Sequence, residues 1–112
     1  MIVSVLASKE FSRQAKRLAK KYKSFVSDFA HFKVSIENNP YQGTDLGGGK
    51  RKIRMAVASK GKGKSGGFRV ITFNVEYTGP EKIIVHLITI YDKQEMANVS
   101  EAYIDQIISG LE

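Results

Sequence analysis

Apolar residues change their spacing several times along this chain, and each change marks a predicted element. Ile2, Val3, Val5 and Leu6 form a short β-rich run, taken as a first strand. Ser8 then offers an N-cap, and Phe11, Ala15, Leu18 and Tyr22 follow at helical spacing. Arg13, Lys16, Arg17, Lys20 and Lys21 occupy the other sides, so this helix is amphipathic and strongly basic. Ser24 opens a second helix in which Phe25, Phe29, Phe32 and Ile36 recur on one stripe, the signature of a core face. That pattern stops at Asn38-Asn39-Pro40, because the residue before a proline is pushed out of the α region. Almost nothing joins the two helices, which predicts an antiparallel hairpin packed on a sheet.

Tyr41 to Gly49 reads as a glycine-rich loop. Three β-like runs follow, Lys50 to Ala58, Gly67 to Tyr77 and Lys82 to Tyr91, joined by the glycine-lysine stretch 59–66 and by a tight turn at Thr78-Gly79-Pro80. Runs separated in this way predict an antiparallel meander. Behind a Ser100 cap, Tyr103, Ile104, Ile107, Ile108 and Leu111 return to helical spacing. The expected order is β-α-α-β-β-β-α over one α+β domain, residues 1–112, with the meander sheet packed on the N-terminal hairpin and a C-terminal helix.

The two-residue period of a strand sorts side chains between faces. Ile53, Met55 and Val57 share a side with Arg51 and should face the hairpin, which turns Lys52 and Arg54 away from it. Arg69 alternates with Ile71, Phe73 and Val75, but both sides of that run are largely apolar, so periodicity marks a central strand without orienting Arg69. In the last run Ile83, Val85, Leu87, Thr89 and Tyr91 are expected on one side, and Ile84, His86, Ile88 and Ile90 on the other. His86 reads as a satisfied core histidine, and His31 carries no role.

Charge adds a different kind of information. With 112 residues, 42% of them hydrophobic, the chain is long enough for one modest core and is not of a disordered composition. Its formal net charge of +7 is concentrated from Gly49 to Phe73, which holds Lys50, Arg51, Lys52, Arg54, Lys60, Lys62, Lys64 and Arg69; no Asp or Glu occurs between Leu46 and Val75. A one-signed field costs folding free energy by self-repulsion, so it points to a polyanionic partner, RNA first; a solvated lysine-rich surface is the plain alternative. The absence of cysteine excludes disulfides, thiolate nucleophiles and cysteine-based zinc sites. The N-terminal apolar run is short and meets Lys9 and Glu10 at once, and no stretch reaches the ~20 apolar residues of a membrane span, so a cytoplasmic protein is expected.

Gly63-Lys64-Ser65 imitates the end of a phosphate-binding loop, but the required first glycine falls at Ala58 and the following residues read as a strand, where that motif needs a helix. Two isolated histidines and scattered carboxylates offer no metal-ligand spacing, and no cofactor motif is present. Chemistry would therefore have to use Lys, Arg and Tyr. For RNA these suffice: attack of a 2′-hydroxyl on its own 3′-phosphate needs in-line positioning, stabilisation of added negative charge, and proton transfers. Arginine suits the phosphorane, and a lysine among cations can carry a proton.

The predicted order, together with Arg51-Lys52-Ile53-Arg54, GKGKSGGFRVITF from Gly61 and ITIYDKQEMANVS from Ile88, resembles the RelE/ParE superfamily of type II toxin-antitoxin toxins. Within it the chain is similar to the HigB-like branch, which carries a G-K-x-G-G-x-R-V-I phrase and a later Y-x-K-x-E. The resemblance covers nearly the whole chain. It implies a RelE-like fold and a metal-independent endoribonuclease without cofactor, which cuts mRNA in the ribosomal A site and is silenced by a cognate antitoxin. By position it implies that Arg69 binds the scissile phosphate, that Lys52 and Arg54 line the cleft, and that Tyr91 and Lys93 stand beside the substrate. It further implies that Lys60, Lys62 and Lys64 grip the RNA backbone, and Lys50 and Arg51 of the same basic block are expected to bind RNA with them. Lysine after the final strand, where arginine is common in the family, leaves the general acid open. Two other readings remain: a ParE-like inhibitor of DNA gyrase, and a non-catalytic RNA-binding domain.

Overall fold

The computed structural model describes residues 1–61, 66–79 and 81–111. Strand β1 (Ile2–Ala7) leads into helices α1 (Lys9–Lys21) and α2 (Phe25–Asn38). Strands β2 (Thr44–Gly47) and β3 (Lys50–Met55) follow, then a single 3-10 turn (Ala58–Lys60), the long strands β4 (Phe68–Thr78) and β5 (Glu81–Asp92), and helix α3 (Glu101–Ser109). The described residues make an α+β fold of three helices and one five-stranded mixed sheet, ordered β1-β5-β4-β3-β2.

Strands β3, β4 and β5 are successive antiparallel neighbours, as the turn signals imply. Two features depart from the expected order. Strand β1 lies parallel to β5 at one edge, with Val5 opposite Val85, so the sheet is not a simple meander. The segment expected as a plain loop contains β2, antiparallel to β3 with Thr44 opposite Lys52. All of β2 is exposed, so no apolar pattern betrays it. Its turn into β3 runs through Gly48 and Gly49 at φ of 62° and 85°, a region that glycine enters without steric cost.

The helix caps follow from short polar side chains. Ser8 and Ser100 accept from the amides of Phe11 and Tyr103, satisfying N–H groups that have no intrahelical partner. Ser24 does not cap α2 as expected; its hydroxyl donates to Asp28 at 2.7 Å and receives the Ser59 amide at 3.0 Å, tying α2 to the turn after β3.

The two faces of the sheet are covered unequally. Phe11 and Leu18 of α1 and Phe25, Phe32 and Ile36 of α2 pack on Ile53, Met55, Phe68, Val70, Val85 and Ile90 in the main core, as the alternation of β3 predicts. On the opposite face α3 closes a smaller core of Ile71, Ile88, Tyr91 and Ile104. Alternation along β5 holds only up to Leu87. There the register with β4 shifts, Ile71 facing Thr89 while Thr72 faces Leu87, so Ile88 is an extra residue, a β-bulge. Beyond it the phase reverses: Ile90 joins Leu87 in the main core, whereas Ile88 and Tyr91 face α3, correcting the expected grouping. His86 is half-buried and stacks on Phe73 at 6.2 Å, outside the main core, and burial pushes its pKa below the usual value.

Candidate functional site

Sheet register brings the central cations together. Arg54 of β3 lies opposite Arg69 of β4, and Arg69 lies opposite Tyr91 of β5, so the three side chains form one row across three strands. One step along the same face, Lys52 lies opposite Ile71 and Ile71 opposite Thr89. This is the α3 face, so Arg69 is oriented by its neighbours in a way that its own strand could not reveal. The row is graded in depth: Arg54 is exposed, whereas Arg69 is 6% and Tyr91 5% exposed. Like charges directly opposite one another cost a sheet stability unless other groups offset them. Among its contacts Arg69 donates from Nη1 to the Phe68 carbonyl at 3.3 Å.

Tyr91 is the polar end of this row. Its hydroxyl is buried and has no hydrogen-bond partner among the described residues. Burial raises its pKa, opposed by the nearby Arg69 charge, so at neutral pH the phenol keeps its proton. Lys52 donates to the Asn98 side chain at 3.2 Å, next to the N-terminal end of α3. Lys93 is exposed just past β5.

Three further cations of the same sequence block brace one segment of the protein against another. Lys50 reaches Asp105 at 3.1 Å and Glu101 at 3.4 Å, which fastens α3 to the sheet and raises the lysine pKa, chiefly through Asp105. Arg51 donates to the carbonyls of Gln42 at 2.9 Å and Gly43 at 3.1 Å, bracing the segment before β2. Lys60 is the clearest correction to the expected RNA grip. Its ammonium is 2.6 Å from Asp92, with the two side chains 6% and 1% exposed, and it lies over the rings of Tyr22 and Phe68. The Tyr22 hydroxyl donates to the other Asp92 oxygen at 2.6 Å. Burial would raise the Asp92 carboxyl, but Lys60, Tyr22 and the Gln94 amide outweigh it and hold the pKa below the usual value. The Tyr22 phenol is pushed up to about 12, first by its bond to Asp92 and then by burial. Lys62 and Lys64 lie outside the described residues.

Sequence reasoning did not find a second part of this face. Between α1 and the segment leading into α3 lies a cavity of about 620 Å³ whose wall includes Tyr91, Asn98, Glu10 and Tyr103. Tyr103, read only as a core position, donates to Glu10 at 2.9 Å, and Glu10 is also held by Arg13. Glu95 of the late motif is bound to Arg17 and Lys21 of α1, and its pKa is lowered mainly by Arg17. The helical stripe containing Tyr103 was visible; its pairing with Glu10, far away in sequence, was not.

Among the described residues no group of three or more His, Asp or Glu is arranged to hold a metal ion, and no helix is long and apolar enough to cross a membrane. No protein-family model matches the chain.

Proposed function

We propose that this chain is a toxin of the RelE/ParE superfamily, in its HigB-like branch, which cleaves translated mRNA in the ribosomal A site. The observation that carries this reading is the cross-strand row Arg54, Arg69, Tyr91, with Lys52 beside it. Two guanidinium groups facing each other across a strand pair, one exposed and one buried, suit a phosphate that enters along Arg54 and engages Arg69. In that geometry the 2′-hydroxyl attacks the adjacent phosphorus, the bond to the 5′-oxygen breaks, and the products are a 2′,3′-cyclic phosphate and a 5′-hydroxyl. The guanidinium groups stabilise the charge that grows on the phosphorane oxygens, strongly so because Arg69 is shielded from water. The departing 5′-oxygen takes its proton from a lysine ammonium of the site, Lys52 or Lys93. The 2′ proton leaves to the other of these two lysines, Lys52 on the α3 face or Lys93 just past β5, acting as a neutral amine.

The net charge of +7 suits both docking on ribosomal RNA and neutralisation by an acidic cognate antitoxin. The test is primer extension on mRNA with programmed ribosomes, beside naked mRNA and an Arg69→Ala variant. A cut in the A-site codon that requires ribosomes and Arg69 is expected. Folded, growth-arresting protein that makes no cut would sink the nuclease reading in favour of gyrase inhibition or simple binding.

A further inference from the structure

The cavity between α1 and the segment before α3 adjoins the cationic row at two points. Tyr91 belongs to both, and Asn98 lines the cavity while accepting from Lys52 of the row. A strand of RNA whose phosphate lies on the arginines therefore passes the cavity mouth. The wall has three kinds of chemistry. Met96 and Val99 are apolar, suited to the face of a planar ring. Glu10, Tyr103 and Asn98 present acceptors and donors for a ring edge, and the buried Tyr91 hydroxyl has no hydrogen-bond partner among the described residues. Arg13 and Arg17 stand at the lip, exposed and held by Glu10 and Glu95, ion pairs that solvent screening keeps weak and a phosphate could replace. An apolar wall, a hydrogen-bonding edge and cations at the rim match a nucleotide, base inward and phosphate outward.

We propose that this cavity is a nucleobase pocket, taking one unstacked base of the single-stranded RNA held by the row and so setting which nucleotides the protein prefers. The idea rests on the RNA-cleaving reading for its biological role, but base binding is a property of the cavity alone. Aromatic walls and polar groups on the ring edge are how proteins read splayed single-stranded bases. Burial without a partner leaves Tyr91 ready for a ligand hydrogen bond, because an unsatisfied polar group is costly in the folded protein.

The experiment is an amide NMR titration of the full chain with each of the four nucleoside 5′-monophosphates. A 2-aminopurine trinucleotide, methylated at its 2′-oxygens so that it cannot be cut, is then bound by fluorescence. Expected are shifts centred on residues 10–17 and 89–103, strongest for one of the four bases, with trinucleotide affinity about tenfold weaker in Met96→Trp, which fills the mouth from an exposed position. Tyr91→Phe should weaken base binding without lowering the melting temperature, an outcome that a purely structural tyrosine would not give. Trinucleotide binding that depends on Arg69 while the cavity amides stay still, or that survives Met96→Trp unchanged, overturns the pocket and leaves the nuclease reading standing. Cavity shifts in a protein that never cuts RNA leave the pocket standing and remove the nuclease reading.

Discussion

Lys60 and Arg54 belong to the same basic block, yet the fold uses them in opposite ways. Lys60 ends in a sealed ion pair with Asp92, covered by Tyr22 and Phe68. Arg54 lies in the open, opposite a second arginine, with no ion pair among the described residues. Lys50 and Arg51 fall with Lys60, as braces for α3 and for the segment before β2. Lys52, Arg54 and Arg69 share the α3 face of the sheet. A basic run thus divides between cations that brace one segment against another and cations gathered on the α3 face of the sheet. Charge counting alone does not separate the two.

The sharpest way to break this comparison is to remove the buried member. Lys60→Met strands a carboxylate that is 1% exposed, and breaking a buried pair costs about 3–5 kcal/mol, so a large drop in the urea midpoint is expected. If stability is unchanged, the division between bracing and binding cations fails. Next in size is Arg69→Ala, which should reduce cleavage by roughly 10²–10³-fold, the effect of losing one strong stabiliser of a transition-state charge. Cleavage rate and thermal melting measured on the same sample separate that loss from unfolding. Arg54→Ala should leave stability within about 0.5 kcal/mol, as exposed substitutions do, yet lower the salt dependence of RNA binding by a slope of about one.

The pH dependence of the Asp92 cluster is a finer test. The folded Asp92 pKa is depressed, so its stabilisation is full above the unfolded carboxylate pKa and disappears as pH falls through the folded one. Tyr22 has the reverse sign. Its pKa rises from 10.0 to about 12, so its contribution is complete below pH 10.0 and is lost as pH rises through that interval. Tyr22→Phe should flatten the alkaline fall in stability measured by denaturant unfolding at a series of pH values, while leaving the acid limb in place through Lys60. An unchanged alkaline limb would show that the phenol is not coupled to folding.

Most of the framework was legible because it is written in local patterns. Phe25, Phe29, Phe32 and Ile36 announce a buried helix face, and Ile53, Met55 and Val57 announce which side of β3 meets it. Strand β2 has no buried residue, so no period could expose it. The parallel placement of β1 beside β5 depends on pairing between the two ends of the chain, which no window of sequence contains. The bulge at Ile88 inverts the alternation that otherwise orders β5, and so hid the true side of Ile90. At the site, Lys52 and Arg54 were correctly turned from the hairpin by periodicity. The burial of Lys60 and the meeting of Tyr103 with Glu10 were not legible, since each depends on a partner brought close only by the finished fold.

That parallel pairing also governs when the molecule comes into being. Strand β1 is translated some 80 residues before its partners Lys82–Leu87, and Ser8 waits for the Ile88 carbonyl that its hydroxyl will meet at 2.6 Å. The row Arg54, Arg69, Tyr91 likewise closes only when β5 pairs with β4. Contacts of such sequence separation form late and fold slowly. A nascent chain therefore carries its arginines before their row is assembled, and a chain stopped before β5 should be unstable.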